Sequence, residues 1–283
     1  MWYGCLSIKE FVLHVNYVIR VAHRGGSMAK VITFANQKGG VGKTTTAHIV
    51  AVGLHLRGYK VLAIDLDPQA NLTSVLGVNP DDETIVTIAD YFDGECDFAD
   101  AIVETESGVN LVVGSLMLSG ADRKYASTGY EYKVKEGVSQ VNRKYDYIII
   151  DTPPALGIMS LNALAATNYL VVVMTPDYFS GKGLGQLQDT VNTVKKYLGN
   201  RNLKINGLLL TKVDRTNLTG MVNEDMEKKV IELKTKIYES TIRQAVAIRE
   251  SQYLEASVYD LRSSLVRRDY EAFIDEMLKE LKK

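Results

Sequence analysis

Asn36-Gln37-Lys38-Gly39-Gly40-Val41-Gly42-Lys43-Thr44-Thr45-Thr46 is a glycine- and lysine-rich stretch set between two apolar segments of different period. Ahead of it, Val31-Ile32-Thr33-Phe34-Ala35 is short, apolar and β-branched, the pattern of a buried strand. Behind it, Ala47-His48-Ile49-Val50-Ala51-Val52-Gly53-Leu54-His55-Leu56-Arg57 has helical spacing, with Gly58 as a stop. Strand, glycine-rich turn and helix form the setting that a phosphate-binding loop requires. The glycines let backbone N–H groups close around phosphates, and the helix N-terminus adds the positive end of its dipole. In that setting Lys43 reaches the β- and γ-phosphates and the Thr44 hydroxyl holds Mg²⁺.

Further strand patterns follow. Residues 61–64 form an apolar run that delivers Asp65 and Asp67 to its carboxyl end, where open α/β sheets bind ligands. Tyr147-Ile148-Ile149-Ile150 is too apolar for an edge strand and ends in Asp151-Thr152-Pro153-Pro154. Asp151 is placed to bind Mg²⁺ through water, opposite Thr44. Residues 169–174 and 205–210 give two more buried strands, and 185–198 reads as a helix between them. The 72–142 region is less regular: 84–91 and 98–103 read as helices, 109–113 as a strand, and 121–141 has irregular helical spacing. Asp81, Asp82, Glu83, Asp93, Glu95, Asp97 and Asp100 make an acidic stretch that reads as a solvated face.

The loop departs from the general phosphate-loop pattern, with Gln37 where a glycine is expected and a second lysine, Lys38, opening K-G-G-V-G-K-T-T. In this it resembles the deviant-Walker ATPases of the ParA/MinD family, and the preceding Asn-Gln is most similar to the ParA/Soj branch of DNA-segregation ATPases. The resemblance covers about 28–283 and is strongest at 31–76 and 145–166. It implies a P-loop NTPase fold, an α/β doubly wound, mostly parallel sheet with helices on both faces. It implies ATP and Mg²⁺ as cofactors, held by Lys38, Gly39, Gly40, Val41, Gly42, Lys43, Thr44 and Thr45. Asp67, in D-x-D-P-Q, would orient the attacking water, and Asp65 would sit in or near the Mg²⁺ shell. Lys43 would neutralise phosphate charge in its own subunit, while Lys38 would reach the nucleotide of a second, sandwiching two ATPs in a homodimer. Hydrolysis would be slow alone and accelerated by a ParB-class partner. Thr211 and Lys212 fall where this branch holds adenine; Asp214 in T-K-x-D keeps GTP open as an alternative. Arg215 and Arg243 match arginines that contact DNA in Soj-like members, and such contacts would be to phosphate, so tolerant of sequence and sensitive to salt. Arg249 joins them as a candidate, with Lys195, Lys196, Lys204, Arg262, Arg267 and Arg268 as further patch members; each is also readable as a solvated surface cation.

Composition sets the outer bounds. A chain of 283 residues with 46% hydrophobic content can bury a large core, and its net charge of −1 gives no global signal for nucleic acid, so DNA contact needs a local patch. Cys5 and Cys96 have no metal-ligand spacing and fit a reducing, cytoplasmic setting. No apolar run approaches the ~18 residues of a membrane span. Residues 1–27 stand apart and make a poor signal peptide, lacking a small-residue cleavage site. Codons for His23-Arg24-Gly25-Gly26-Ser27 can spell a purine-rich ribosome-binding sequence, so Met28 is expected to be the start; a genuine N-terminal arm is the alternative. The final helix, 264–281, aligns Phe273, Ile274, Met277, Leu278 and Leu281. MinD-type relatives end in a basic membrane anchor, but here Asp269, Glu271, Asp275, Glu276 and Glu280 share the polar face, which favours core packing and no membrane partner. A MinD-like division regulator therefore remains the first rival. An iron–sulfur reductase would need cysteines flanking the Asp151 strand, where there are none, and a scaffold with negligible turnover is separable only by kinetics.

Overall fold

The computed structural model describes residues 28–176, 181–213, 224–245, 259 and 265–282. Residues 1–27, Asp214, Arg215, Arg249 and Arg262 lie outside the described residues.

Among the described residues, seven strands form one sheet in the order β3-β4-β2-β5-β1-β6-β7. They are β1 (Lys30–Ala35), β2 (Val61–Asp65), β3 (Ile102–Glu104), β4 (Asn110–Val112), β5 (Tyr147–Asp151), β6 (Tyr169–Met174) and β7 (Lys204–Leu210). All neighbours run parallel except β3, which is antiparallel to β4. The central strands β2 and β5 are buried along their whole length, as continuous apolar runs covered on both faces must be. Alternate residues serve the two faces: Ile32 and Phe34 of β1 join one core cluster while Val31 joins another. This is the doubly wound α/β architecture that the resemblance implies.

Helix α1 (Lys43–Leu56) is buried nearly all round because the sheet covers one side and the last helix the other. Short helices α2 (Asn71–Val75), α3 (Ile88–Asp93) and α4 (Ala121–Lys124) precede α5 (Lys133–Val141), α6 (Ile158–Ala166), α7 (Gly181–Tyr197), α8 (Glu224–Glu232) and α9 (Leu265–Glu280). Helix α9 buries Val266, Tyr270, Phe273, Ile274 and Met277 in the α1 side of the core, so its apolar face is taken up by packing. Arg57 at the end of α1 pairs with Glu271 and Asp275 of α9, and the Lys30 ammonium donates to the Leu281 carbonyl. No described helix is long and apolar enough to cross a membrane.

Three local expectations change. Residues 98–103 are a turn followed by β3, because Phe98 and Ala101 are drawn into the core beside Tyr91 and Phe92 while Ile102 and Val103 pair with β4. The 84–91 helix starts only at Ile88, where the Thr87 backbone N–H and hydroxyl both donate to Asp90 and cap it. Helix α7 begins at Gly181, a turn earlier than its spacing suggests.

Candidate nucleotide site

The loop between β1 and α1 leaves the carboxyl end of β1, which lies between β5 and β6. Gly40 and Gly42 adopt left-handed φ of 73° and 94°, a region other residues enter at a cost, and Gly42 is the N-cap of α1. The loop is braced from behind. Asn36 Nδ2 donates to Val173 O at 2.6 Å, and Asn36 Oδ1 accepts from Lys38 N at 3.0 Å. Thr211 Oγ1 donates to Val41 O at 2.6 Å, which ties the end of β7 to the loop.

Lys43 is only 6% exposed, and its Nζ donates to Lys38 O at 3.3 Å. Burial lowers its pKa, while Asp151 and Asp67 work the other way. Asp151 is fully buried, and neither of its oxygens makes a hydrogen bond; the nearby Thr44 hydroxyl and Lys43 favour its charged form. Burial first, then the charge of Asp65, hold the Asp151 pKa well above the carboxylate range. A buried carboxylate without donors is a standing cost that a cation would remove. Thr44 and Asp151 are therefore the pair that fits Mg²⁺.

The loop and Asp67 open onto a cavity of about 760 Å³. Gly39 to Thr45 line its floor, Asp67 and Gln69 one wall, and Thr211 and Lys212 another. A nucleoside triphosphate fits a space of that size, with phosphates on the loop amides. Thr211 also donates weakly to Met174 O, so its hydroxyl braces the loop, while Lys212 is exposed at the rim in a left-handed conformation, φ 54°. Lys38 is half-buried and, unlike Gly39 to Thr45, does not line the cavity.

Asp65 lies beside Asp151 across the paired strands, but its oxygens are engaged by the protein. Both its oxygens accept from donors: Oδ2 from Thr73 N and Oγ1, Oδ1 from Asp67 N. Its pKa is raised to about 6, by burial first. Among these aspartates, the one left without donors is Asp151, so the metal expectation falls there rather than on Asp65.

The cavity also takes in His48, Asn71 and Ser74, and on its far side Ile242, Gln244 and Tyr270. Sequence reasoning missed all six. His48 lies one helical turn after Thr44 and was findable by that spacing; Tyr270 sits on α9 and carries no local signal. Its hydroxyl meets Thr46 Oγ1 at 3.2 Å, and Thr46 Oγ1 donates to Gly42 O at 2.7 Å, so the last helix touches the loop.

Arg243 is held by Asp269 of α9: Nε to Oδ2 at 2.6 Å, Nη2 to Oδ1 at 2.7 Å, and backbone N to Oδ2 at 3.1 Å. Arg267 and Arg268 are exposed on the same turn as Asp269. Lys196 and Lys204 are exposed and Lys195 half-buried on α7 and β7.

Loop amides, a buried lysine and a donorless aspartate at the carboxyl end of a parallel sheet put the protein among the P-loop nucleoside triphosphatases. A family model described as an AAA domain matches residues 29–205. The sporulation initiation inhibitor protein Soj of Bacillus subtilis is 37% identical over 253 residues, 88% of this chain and 96% of that protein. The chromosome partitioning protein ParA of Caulobacter vibrioides is 34% identical over 240 residues, 82% of this chain and 88% of that one. Cobyrinic acid a,c-diamide synthase from Mycobacterium smegmatis, solved with ADP and magnesium, superposes with a TM-score of 0.73 at 30% identity, over 90% of this chain and 96% of that one. The chain belongs to the ParA/Soj family of chromosome-partitioning ATPases.

Proposed function

We propose that this partition ATPase binds ATP with Mg²⁺, closes into a nucleotide-sandwich homodimer that holds DNA without sequence preference, and lets go when a ParB-class partner speeds hydrolysis. Residues 28–283 are assigned to the ATPase domain. The observation that carries the reading is the buried Asp151, whose oxygens make no hydrogen bond, close to Lys43 and Thr44, which line the cavity. Family membership supports the cycle, as does the ADP- and magnesium-bound synthase for the ligands.

Loop amides from Gly39 to Thr45 bind the phosphates, and Lys43 neutralises their charge from within the same subunit. Thr44 and Asp151 would hold Mg²⁺, which when bound would offset the charge that develops on the phosphates. Asp67, on the cavity wall, orients the attacking water. Phosphoryl transfer asks mainly for position and charge, and no covalent step on the protein is required. Lys38, on the outer side, faces the second subunit and its γ-phosphate, which links dimerisation to ATP. Thr211 and Lys212 border the base. Arg243, Arg215 and Arg249 supply phosphate contacts for DNA, with Arg243 shared between DNA and Asp269.

The test is binding to non-specific duplex DNA with ATP, ADP or no nucleotide over a salt series. Binding that needs ATP and weakens with salt is expected. Indifference to DNA in every nucleotide state, with capture by anionic liposomes in ATP, overturns the reading in favour of a division-regulator cycle. The packing of α9 into the core argues against that outcome.

A further inference from the structure

Asp65 and Asp151 end adjacent parallel strands in register, both fully buried and a strand spacing apart, yet their surroundings are opposite. Neither oxygen of Asp151 makes a hydrogen bond, and the Thr44 hydroxyl is the polar donor facing it that favours its charge. Asp65 meets three: Thr73 N at 2.9 Å and Thr73 Oγ1 at 3.0 Å on Oδ2, and Asp67 N at 3.2 Å on Oδ1. Having donated to Asp65, the Thr73 hydroxyl accepts from Gly114 N at 2.9 Å. Gly114 backs directly onto the carboxyl group: a Cβ there would stand 2.8 Å from Asp65 Cγ and 2.9 Å from Oδ2. One carboxylate thus gathers the end of β2, helix α2 and the chain leaving β4.

Between Asp65 and Thr73 runs the segment that forms the cavity wall, with Asp67, Gln69 and Asn71. It is a tense segment. Asp67 Oδ1 accepts from Gln69 N at 3.0 Å, and Ala70 is held at φ 49°, a left-handed conformation that costs a residue with a Cβ. Such a backbone persists only where its surroundings over-determine it, and the Asp65 hydrogen bonds span both its ends. N–H and O–H donors take three of the four lone-pair positions of Asp65, which leaves one on Oδ1 and makes it a poorer cation ligand than Asp151.

We propose that Asp65 is a positioning residue, which pins the 65–73 segment at both ends so that Asp67 faces the reacting phosphate, and that it is not a ligand of the metal. This rests on the reading of Asp67 as the group that orients water.

The test compares Asp65→Asn, Thr73→Val, Thr73→Ser and Asp151→Asn. It measures kcat and KM for ATP, and separately the affinity for a fluorescent ATP analogue over a Mg²⁺ titration. Asparagine at 65 keeps the volume but turns an amide donor towards Thr73. The expected result is a kcat lower by about ten- to a hundredfold, the scale of a reacting group displaced by about 1 Å. KM and the half-saturating Mg²⁺ should stay as in the wild type. Thr73→Val should reproduce part of the loss and Thr73→Ser should restore it, and this pair carries the test if Asp65→Asn fails to fold. Asp151→Asn should raise the Mg²⁺ requirement. If Asp65→Asn raises it likewise, Asp65 is a ligand and the proposal is overturned. An unchanged kcat in Asp65→Asn, or in a folded Thr73→Val, overturns it too. A wild type that binds no Mg²⁺–nucleotide at all removes the functional reading, and this inference with it.

Discussion

Removing the carboxylate that holds Arg243 should tighten DNA binding. In the structure the guanidinium is engaged by two short hydrogen bonds to Asp269, 2.6 and 2.7 Å long. A DNA phosphate can use Arg243 only by displacing or sharing that partner. The arginine side chain is 27% exposed and the aspartate 12%, so water screens the pair and its net worth is about 1–1.5 kcal/mol. Asp269→Asn removes most of that competition, which corresponds to about tenfold higher affinity at fixed salt. It also frees one cation per subunit for phosphate, steepening the plot of log K against log salt by about 0.9 per subunit. The measurement is fluorescence anisotropy of a labelled non-specific duplex in ATP, from about 50 to 300 mM salt, a range over which phosphate contacts weaken visibly. It needs four proteins: wild type, Asp269→Asn, Arg243→Ala and the double variant. Arg243→Ala should bind more weakly than wild type, and the double variant should match Arg243→Ala. Two results refute the reasoning: no tightening in Asp269→Asn, or a double variant that still binds more tightly than Arg243→Ala. In either case Arg243 only fastens the segment before it to α9.

Three further outcomes are expected. Lys43→Ala should weaken nucleotide binding by about a hundredfold or more, seen by fluorescent-nucleotide titration, because the phosphates lose the buried lysine that neutralises their charge. Burial raises Asp65 to about 6 and holds Asp151 well above the ordinary carboxylate value near 4, so the nucleotide-free folded state keeps protons that the unfolded chain gives up. The stability they contribute is full below about pH 4 and is lost as pH rises through 6 and above; thermal unfolding without Mg²⁺ should fall more between pH 5 and 8 in the wild type than in Asp151→Asn. Phe273→Ala empties a fully buried site where the ring meets Tyr238 edge-on at 4.9 Å, and should cost about 3–5 kcal/mol, read as a lower unfolding midpoint in denaturant.

The frame of the fold was legible because parallel strands covered on both faces read as unbroken apolar runs. Val31 to Ala35, Tyr147 to Ile150 and Tyr169 to Met174 are such runs, and the loop after the first has few other uses. The 98–103 segment was not legible: six residues suffice for either a helical turn or an edge strand, and the choice was made by Phe98 and Ala101 finding the core. The two aspartates of D-x-D show a different limit. They are alike in type and two residues apart, and their roles diverge only because Thr73, eight residues after Asp65, brings two donors to it. Tyr270 and Asp269 were out of reach for the same reason: each acts at a partner more than twenty residues away in the chain, and no local pattern announces it.

The contact between Thr46 and Tyr270 joins residues 224 apart. A ribosome adds roughly 5–20 residues per second, so the loop waits about 11–45 s before the helix that covers α1 is made. During that interval the nascent chain carries the strand and glycines of its nucleotide loop but leaves one flank of α1 bare and the far wall of the cavity unbuilt. Closure of a contact this long in sequence also makes folding slow relative to a helical protein of similar size. Helix α9 thus acts as a quality mark: a chain that stops short of it has the motif and not the site.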